Sequence, residues 1–221
     1  MRRNVSLSDI SDGRLYGDND MVKADCRGCA GCSNCCRGMG DSILLDPYDA
    51  YRLSVGLGKP FADFLDREIE LGVVDGCILP HLKMTGADEV CVFLDGQGRC
   101  SIHPFRPGIC RLFPLGRYYE DGVFHYFLQI GECDANRSKV KVSKWIDTPD
   151  QKRYRDFVTG WHYLLGRAET RMKERQDDIF DRDLNMLLLQ VFYLKPYEPT
   201  KDFYEQFAQR EEEFEFSLQN R

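Results

Sequence analysis

Five cysteines lie within the segment CRGCAGCSNCCRG, which covers residues 26–38. They are Cys26, Cys29, Cys32, Cys35 and Cys36. The first four form three overlapping CxxC units, and each unit places two thiols on one tight turn, where both can bind the same metal ion. Because five thiols in so polar a segment cannot all be core side chains, inert burial does not explain the cluster.

The spacing of these cysteines suits more than one kind of metal centre. Without Cys35, the cluster follows the CxxCxxCxxxC pattern of bacterial ferredoxins, which bind iron–sulfur clusters. The sequence departs from that pattern at Arg37, where ferredoxins have proline, and it contains no second copy of the motif. Adjacent cysteines point in different directions, so the CC pair suits two metal ions or a larger cluster better than one zinc ion.

Five further cysteines follow, namely Cys77, Cys91, Cys100, Cys110 and Cys133. Cys91 and Cys100 flank the stretch FLDGQGR, whose Asp and Gly residues predict the turn of a hairpin that brings the two thiols together. Cys77 lies in the apolar run GCILP, which is typical of a small buried hydrophobic side chain. Cys110 and Cys133 can join the other thiols only through the tertiary fold.

Composition and charge exclude several classes of function. The formal charge of -6 argues against a nonspecific grip on nucleic acid or on anionic lipid, which needs clustered Lys and Arg. No window approaches 18 uninterrupted apolar residues, and the basic start of the chain lacks the apolar stretch of a signal peptide. We therefore expect neither a nucleic-acid partner nor a membrane, and we expect reduced thiols in the cytoplasm instead of disulfides.

Other polar residues offer weaker signals. Arginines are interleaved with the cysteines and could donate to an anionic thiolate site: Arg27, Arg37, Arg99, Arg106 and Arg111. His103, three residues after Cys100, could complete a mixed Cys and His site, although His-Pro is also typical of an exposed turn. The remaining histidines are too scattered to indicate a catalytic triad, and no phosphate-binding glycine motif is present.

Three segments are predicted along the chain. Residues 1–22 form a leader that docks weakly or not at all, residues 23–140 form the cysteine-rich metal-binding domain, and residues 147–221 form a helical region packed on it. The fold class is α+β, in which an irregular cysteine-rich region with short helices and β-hairpins is covered by C-terminal α-helices.

The helices that must position this region have recognisable starts. Asp46, Pro47 and Asp49 predict the start of a short helix that runs through Leu53, and Pro60 predicts a second one that ends at Gly72. Asp121-Gly122 predicts a hairpin turn between two aromatic-rich strands. A long amphipathic helix begins with Thr148 as its cap, a second spans roughly 183–194, and a third begins near Thr200.

The cysteine pattern as a whole resembles a known family. The stretches CAGCSNCC (29–36) and CVFLDGQGRCSIHPFRPGICRLFPLG (91–116), followed by Cys133, are similar to the YkgJ-type cysteine cluster proteins, or CxxCxxCC proteins, described as zinc- or iron-chelating. The resemblance implies eight metal ligands: Cys29, Cys32, Cys35, Cys36, Cys91, Cys100, Cys110 and Cys133. Cys26 and Cys77 fall outside the pattern, so Cys26 is the less certain ligand even though it completes the ferredoxin-like spacing.

Three functions stay open at this point. The first is a metal-binding protein that holds iron, as an iron–sulfur cluster, with zinc as the alternative. The second is a structural-zinc module that binds a protein partner through aromatic side chains around Phe113, Tyr118, Tyr119 and Phe124. The third is a metal-dependent transferase or redox enzyme, because the resembled family has a protein-lysine methylase among its relatives.

Overall fold

The computed structural model describes residues 6–25, 32–133 and 138–219. Within them, an irregular half with short paired strands is followed by a helical half, so the predicted α+β class is confirmed. One hydrophobic core runs through both halves, from Val22 to Leu218. None of the described helices combines the length and the apolar character needed to cross a membrane.

Within the described residues, the first half contains eight short strands, four α-helices and three 3-10 turns. The helices are α1 (Leu7–Ile10), α2 (Pro47–Leu57), α3 (Gly108–Leu112) and α4 (Val142–Ile146). The strands form four antiparallel pairs within the described residues. The pairs are β1 (Met21–Asp25) with β8 (Ser138–Lys141), β2 (Ile69–Val74) with β3 (Cys77–Leu82), β4 (Met84–Thr85) with β5 (Val90–Cys91), and β6 (Leu115–Glu120) with β7 (Val123–Leu128).

The second half consists of three long helices, α5 (Gln151–Arg175), α6 (Asp178–Leu189) and α7 (Phe203–Gln219). Helix α5 begins two residues later than 149 because Asp150, and not Thr148, caps it by accepting from the Arg153 amide. Helix α6 begins earlier than predicted because Asp177 accepts from the amides of its first turn. A π-helical turn, Gln190–Leu194, then ends it.

Helix α2 forms as predicted and extends beyond Leu53 to Leu57. The side chain of Asp46 accepts from the Asp49 amide at 2.8 Å, and Asp49 in turn accepts from the Asp46 amide, so the first turn is closed by a reciprocal capping box. Gly58 ends the helix in the left-handed conformation.

The prediction of a second helix from Pro60 to Gly72 is wrong. A single 3-10 turn covers Phe61–Phe64, and strand β2 begins at Ile69. The turn that joins β2 to β3 is Asp75-Gly76, with positive φ at both residues, which is the two-residue hairpin turn that matches strand twist. The predicted hairpin at Asp121-Gly122 has the same turn and is confirmed.

The described part of the leader differs from the expectation of weak docking. Ser11 bridges to Gln129 and Tyr16 bridges to Tyr126, which extends the β6–β7 pair by a further edge. Strand β1, which follows in the chain, pairs with β8. The division of the chain into three segments stays a prediction.

Aromatic side chains join the two halves. The ring of Tyr48 on α2 lies 4.9 Å from that of Phe203 on α7 and 5.5 Å from that of Tyr154 on α5. The Tyr193 hydroxyl donates to the Leu45 carbonyl at 2.8 Å in the buried interior. The helices are therefore packed directly against the segment that leads into α2.

Asn185 ties the β2–β3 hairpin to α6, and its replacement should cost stability. Its buried side chain donates to the Gly76 carbonyl at 3.0 Å and accepts from the Ile78 amide at 2.6 Å. We expect Asn185→Ala to lower the free energy of unfolding by about 2–3 kcal/mol, because it leaves buried backbone groups without partners. Urea unfolding measures this difference. The exposed neighbour Met186→Ala is the control, and equal loss in both variants would contradict the prediction.

Asp46 should make stability depend on pH. Burial, and then the neighbouring Asp49 carboxylate, raise the pKa of Asp46 to about 8. An aspartate in the unfolded chain has a pKa of about 4. Between this value and the folded pKa, only the folded protein holds the proton on Asp46. The contribution of Asp46 to the free energy of unfolding therefore falls as pH rises. Asp46→Asn keeps a capping oxygen and does not titrate.

We expect the stability of Asp46→Asn relative to the natural chain to increase between about pH 5 and about pH 8. Urea unfolding at both pH values measures this change, and Asp46→Ala, which lacks the cap, is the comparison. A stability difference that is the same at both pH values would contradict the proposed titration.

Candidate metal centre

Seven of the eight predicted thiol ligands lie in the described residues. Cys35 and Cys36 form part of a 3-10 turn, Asn34–Cys36, and Cys91 ends strand β5. Cys110 lies in the middle of α3. Cys29, and also Cys26, lie outside the described residues, so their ligand roles stay predictions.

Backbone pairing carries the end of the cysteine cluster to the downstream thiols. Arg37 forms an antiparallel bridge with Val90, and the Gly38 amide donates to the Glu89 carbonyl at 3.0 Å. This places the CC pair beside the strand that ends at Cys91. The cluster therefore docks on the segment that holds the other thiols.

A tight turn brings Cys100 back toward the same strand, as the sequence predicted. Leu94 bridges to Cys100, and the Asp95 amide donates to the Arg99 carbonyl at 2.8 Å. The Asp95 carboxylate also accepts from the Arg99 amide at 2.9 Å, which closes the loop from inside.

The electrostatics of the thiols show that four of them are close neighbours. Burial raises the pKa of Cys91, Cys100 and Cys110, and each of the three is raised further by Cys35. The pKa of Cys35 is raised first by its hydrogen bond to Cys36 and then by burial. The thiols are therefore protonated in the absence of a cation, and metal binding must release protons.

The arginines do not all face this group of thiols. Arg106 lowers the pKa of both Cys35 and Cys100, so its positive charge lies near them. Arg111, which the sequence also nominated, instead donates to the Thr148 hydroxyl at 2.6 Å on the opposite side of α3. Arg37 and Arg99 are exposed.

Arg27 lies outside the described residues. Of the five nominated arginines, Arg106 is therefore the one with a described electrostatic effect on the thiols.

His103 lies in an exposed 3-10 turn, His103–Phe105. Its pKa is lowered by desolvation and then by the positive charges of Arg106 and Arg99, which favours the neutral imidazole that a metal requires. Its role as a ligand stays a prediction.

Cys77 is separate from the group, as the sequence predicted. It is 2% exposed and packs in the core, and burial raises its pKa to about 11 with Glu169 and Asp75 as the nearby charges. Cys133 is half-buried beyond the end of β7, and it stays a predicted ligand.

The donor chemistry fits the metals that the spacing suggests. The metal-binding side chains among Cys35, Cys91, Cys100 and Cys110 are all thiols, and thiolates are the ligands of structural zinc and of iron–sulfur clusters. As they stand, no three His, Cys, Asp or Glu side chains within residues 6–25, 32–133 and 138–219 meet in the arrangement of a metal-ion site. The full set of eight ligands stays a prediction.

The aromatic surface expected for a protein partner is partly internal. Phe124 is 1% exposed, and the ring of Tyr119 stacks on His162 at 3.6 Å. Phe113 and Tyr118 are half-buried. Phe124 therefore cannot belong to a docking surface, and a protein partner stays a prediction without that residue.

Sequence reasoning missed a buried polar network on the other side of Cys110. Asp49 accepts from the Gly108 amide at 2.7 Å, and the guanidinium of Arg111 lies over the ring of Tyr154 at 5.4 Å. In the sequence, Asp49 is recognisable only as part of a helix start. The sequence feature that indicates its role in this network is the spacing of Asp49 and Arg52, which places both side chains on one face of α2. Arg52 donates to the Pro104 carbonyl, in the same loop as Gly108.

Comparison with known proteins agrees with the cysteine pattern. The family model CxxCxxCC, described as "Putative zinc- or iron-chelating domain", matches residues 26–129. Comparisons with the curated proteins and with the solved structures gave no match. The match begins at Cys26 and ends before Cys133, so it includes seven of the eight predicted ligands. The predicted resemblance to the CxxCxxCC family is therefore confirmed over residues 26–129.

Proposed function

We propose that this protein binds iron as an iron–sulfur cluster through its clustered thiolates, with zinc as the alternative metal. The observation that carries the proposal is the backbone bridge from Arg37 to Val90, which sets the CC pair beside Cys91. In agreement with it, Cys35 raises the pKa of Cys91, Cys100 and Cys110. These residues come from the cysteine cluster, from β5 and its following turn, and from α3. A site that draws ligands from three separate segments is typical of a metal that cross-links an irregular fold.

Charge supports an anionic centre. Each thiolate contributes one negative charge, so an all-thiolate site is anionic and requires nearby donors. Arg106 supplies one positive charge near Cys35 and Cys100. Such donors stabilise zinc thiolates and iron–sulfur clusters alike, and they do not select between the two metals.

The preference for iron rests on the cysteine spacing. The cluster from Cys26 to Cys36 contains the ferredoxin-like pattern, and the CC pair offers thiols in two directions. A cluster with several sulfur-binding corners can use both thiols, whereas one zinc ion cannot do so with equal ease. A reducing compartment such as the cytoplasm would keep these thiols available, and we propose that location for the protein.

The chain's own residues have separate tasks in this proposal. The bridge between Arg37 and Val90 holds the cluster against β5, and the Asp95 turn returns Cys100 to the same place. Helix α3 presents Cys110. An iron–sulfur cluster, when bound, supplies one-electron transfer, whereas zinc would act only as a cross-link.

Metal analysis of protein purified without oxygen is the direct test of metal identity. We expect similar molar amounts of iron and acid-labile sulfide. We also expect visible absorption, because sulfide-bridged iron absorbs visible light. A colourless protein with stoichiometric zinc and no labile sulfide would contradict the cluster and leave the zinc alternative.

Cysteine substitutions should show which segments share the site. We expect Cys29→Ser and Cys110→Ser each to weaken metal retention by at least about tenfold, because loss of a ligand costs no less than loss of its hydrogen-bond partner. Cys77→Ala is the matched control and should retain metal, since Cys77 lies in the core away from the other thiols. Chelator competition measures retention, and unchanged retention in Cys110→Ser would remove α3 from the site.

A further inference from the structure

We propose that one face of α2 positions the loop that presents Cys110 for metal binding. The face consists of Asp49, Arg52 and Gly56, and the loop covers residues 104–110. This inference deepens the proposed function, because it assigns positioning residues to that same thiol site. It makes no use of the identity of the metal.

The three residues recur at helical spacing. Positions 49, 52 and 56 lie three and four residues apart, so they point to the same side of α2. Each contacts a different part of the loop. The carboxylate of Asp49 accepts from the Gly108 amide at 2.7 Å, and a guanidinium nitrogen of Arg52 donates to the Pro104 carbonyl.

Gly56 supplies the third contact through its lack of a side chain. A β-carbon at this position would lie 2.6 Å from Cγ of Phe105, which is too close for any real contact. Gly56 has ordinary helical backbone geometry, and alanine is the stronger helix former at such a position. Glycine at position 56 therefore allows the Phe105 ring to pack directly against α2.

The loop is held from the other side as well. A β-carbon on Gly108 would lie 2.5 Å from the Tyr154 hydroxyl oxygen on α5, and Arg111 donates to Thr148 at 2.6 Å. The loop is thus clamped between α2 and α5. Cys110 lies between Gly108 and Arg111 in the sequence. A shift of the loop on α2 must therefore displace the sulfur atom of Cys110.

Metal sites are sensitive to displacements of this size. The distance from metal to ligand must lie within about 0.2 Å of its usual value. Loss of a residue that supports a ligand typically lowers metal affinity by about 10–100-fold. A residue that fixes α3 therefore acts on metal affinity without touching the metal.

The test compares two glycine substitutions in helices. Gly56→Ala introduces the clash with Phe105, whereas Gly160→Ala on α5 is the matched control, because a β-carbon at Gly160 meets nothing within 4 Å. Two quantities are measured: retention of the metal bound on purification against a chelator, and the alkylation rate of Cys110 in metal-free protein by peptide mass spectrometry. The second readout needs no metal.

We expect Gly56→Ala to lose metal at least about tenfold more readily and to expose Cys110 to faster alkylation, while Gly160→Ala changes neither. The double variant Gly56→Ala/Phe105→Leu should recover part of both losses, because it makes room for the added methyl group. Asn185→Ala, which destabilises a remote hairpin, should leave the Cys110 alkylation rate in folded protein unchanged.

The outcomes separate this inference from the proposed function. If the natural chain retains no metal but Gly56→Ala still speeds Cys110 alkylation, the positioning role stands and the metal proposal fails. If Gly56→Ala matches the natural chain in both readouts, the positioning role is overturned even though metal binding stands. Should Gly56→Ala not fold, Asp49→Ala against Asp49→Asn gives the same comparison, because asparagine retains an oxygen that can accept from the Gly108 amide.

Discussion

The absence of a side chain at Gly108 is the constraint on which the arrangement of the two halves depends. The position that a β-carbon would occupy lies 2.5 Å from the Tyr154 hydroxyl oxygen, 3.6 Å from a carboxylate oxygen of Asp49 and 3.7 Å from a guanidinium nitrogen of Arg111. Helices α2, α3 and α5 therefore meet at a point that admits only backbone. Any larger residue would force the Tyr154 hydroxyl to move from its place between α2 and α3.

The close approach at Gly108 buries charge, and the charges compensate one another. Burial raises the pKa of both Asp46 and Asp49, whereas the positive charge of Arg111 opposes the shift at Asp49. Arg111 is 4% exposed and lies near the rings of Tyr48 and Tyr154, whose faces attract a cation. Because an unpaired buried charge is costly, this network favours one mutual orientation of α2, α3 and α5.

Local signals predicted the elements that rest on local chemistry. The periodic apolar face of α5, the Asp46 cap of α2 and the Asp121-Gly122 turn all depend on neighbouring residues, and all are present. The spacing of Phe61, Phe64 and Ile69 suits a helix or a turn followed by a strand. Here the Asp75-Gly76 turn decides in favour of the strand, because it pairs β2 with β3.

Contacts between residues far apart in sequence could not be predicted in the same way. The pairing of Tyr16 with Tyr126 leaves no pattern in a leader that is polar by composition. Likewise, the cysteine spacing and the family resemblance indicate which thiols are candidates, but only the tertiary fold brings Cys35 close enough to raise the pKa of Cys91, Cys100 and Cys110. The sequence also does not indicate the partner of Arg111. This arginine donates to the Thr148 hydroxyl and does not face the thiols.

The geometry of a single helical turn explains why Arg111 and Cys110 have different tasks. Consecutive residues of a helix point about 100° apart, whereas residues three apart share a face. Gly108 and Arg111 therefore face α2 and α5 together, and Cys110 is directed away from them. Helix α3 can present its thiol to the other cysteines only while its opposite face is held by the helical half. In the proposed site, residues 151–219 would thus contribute through packing, although they lie beyond the segment that the family model matches.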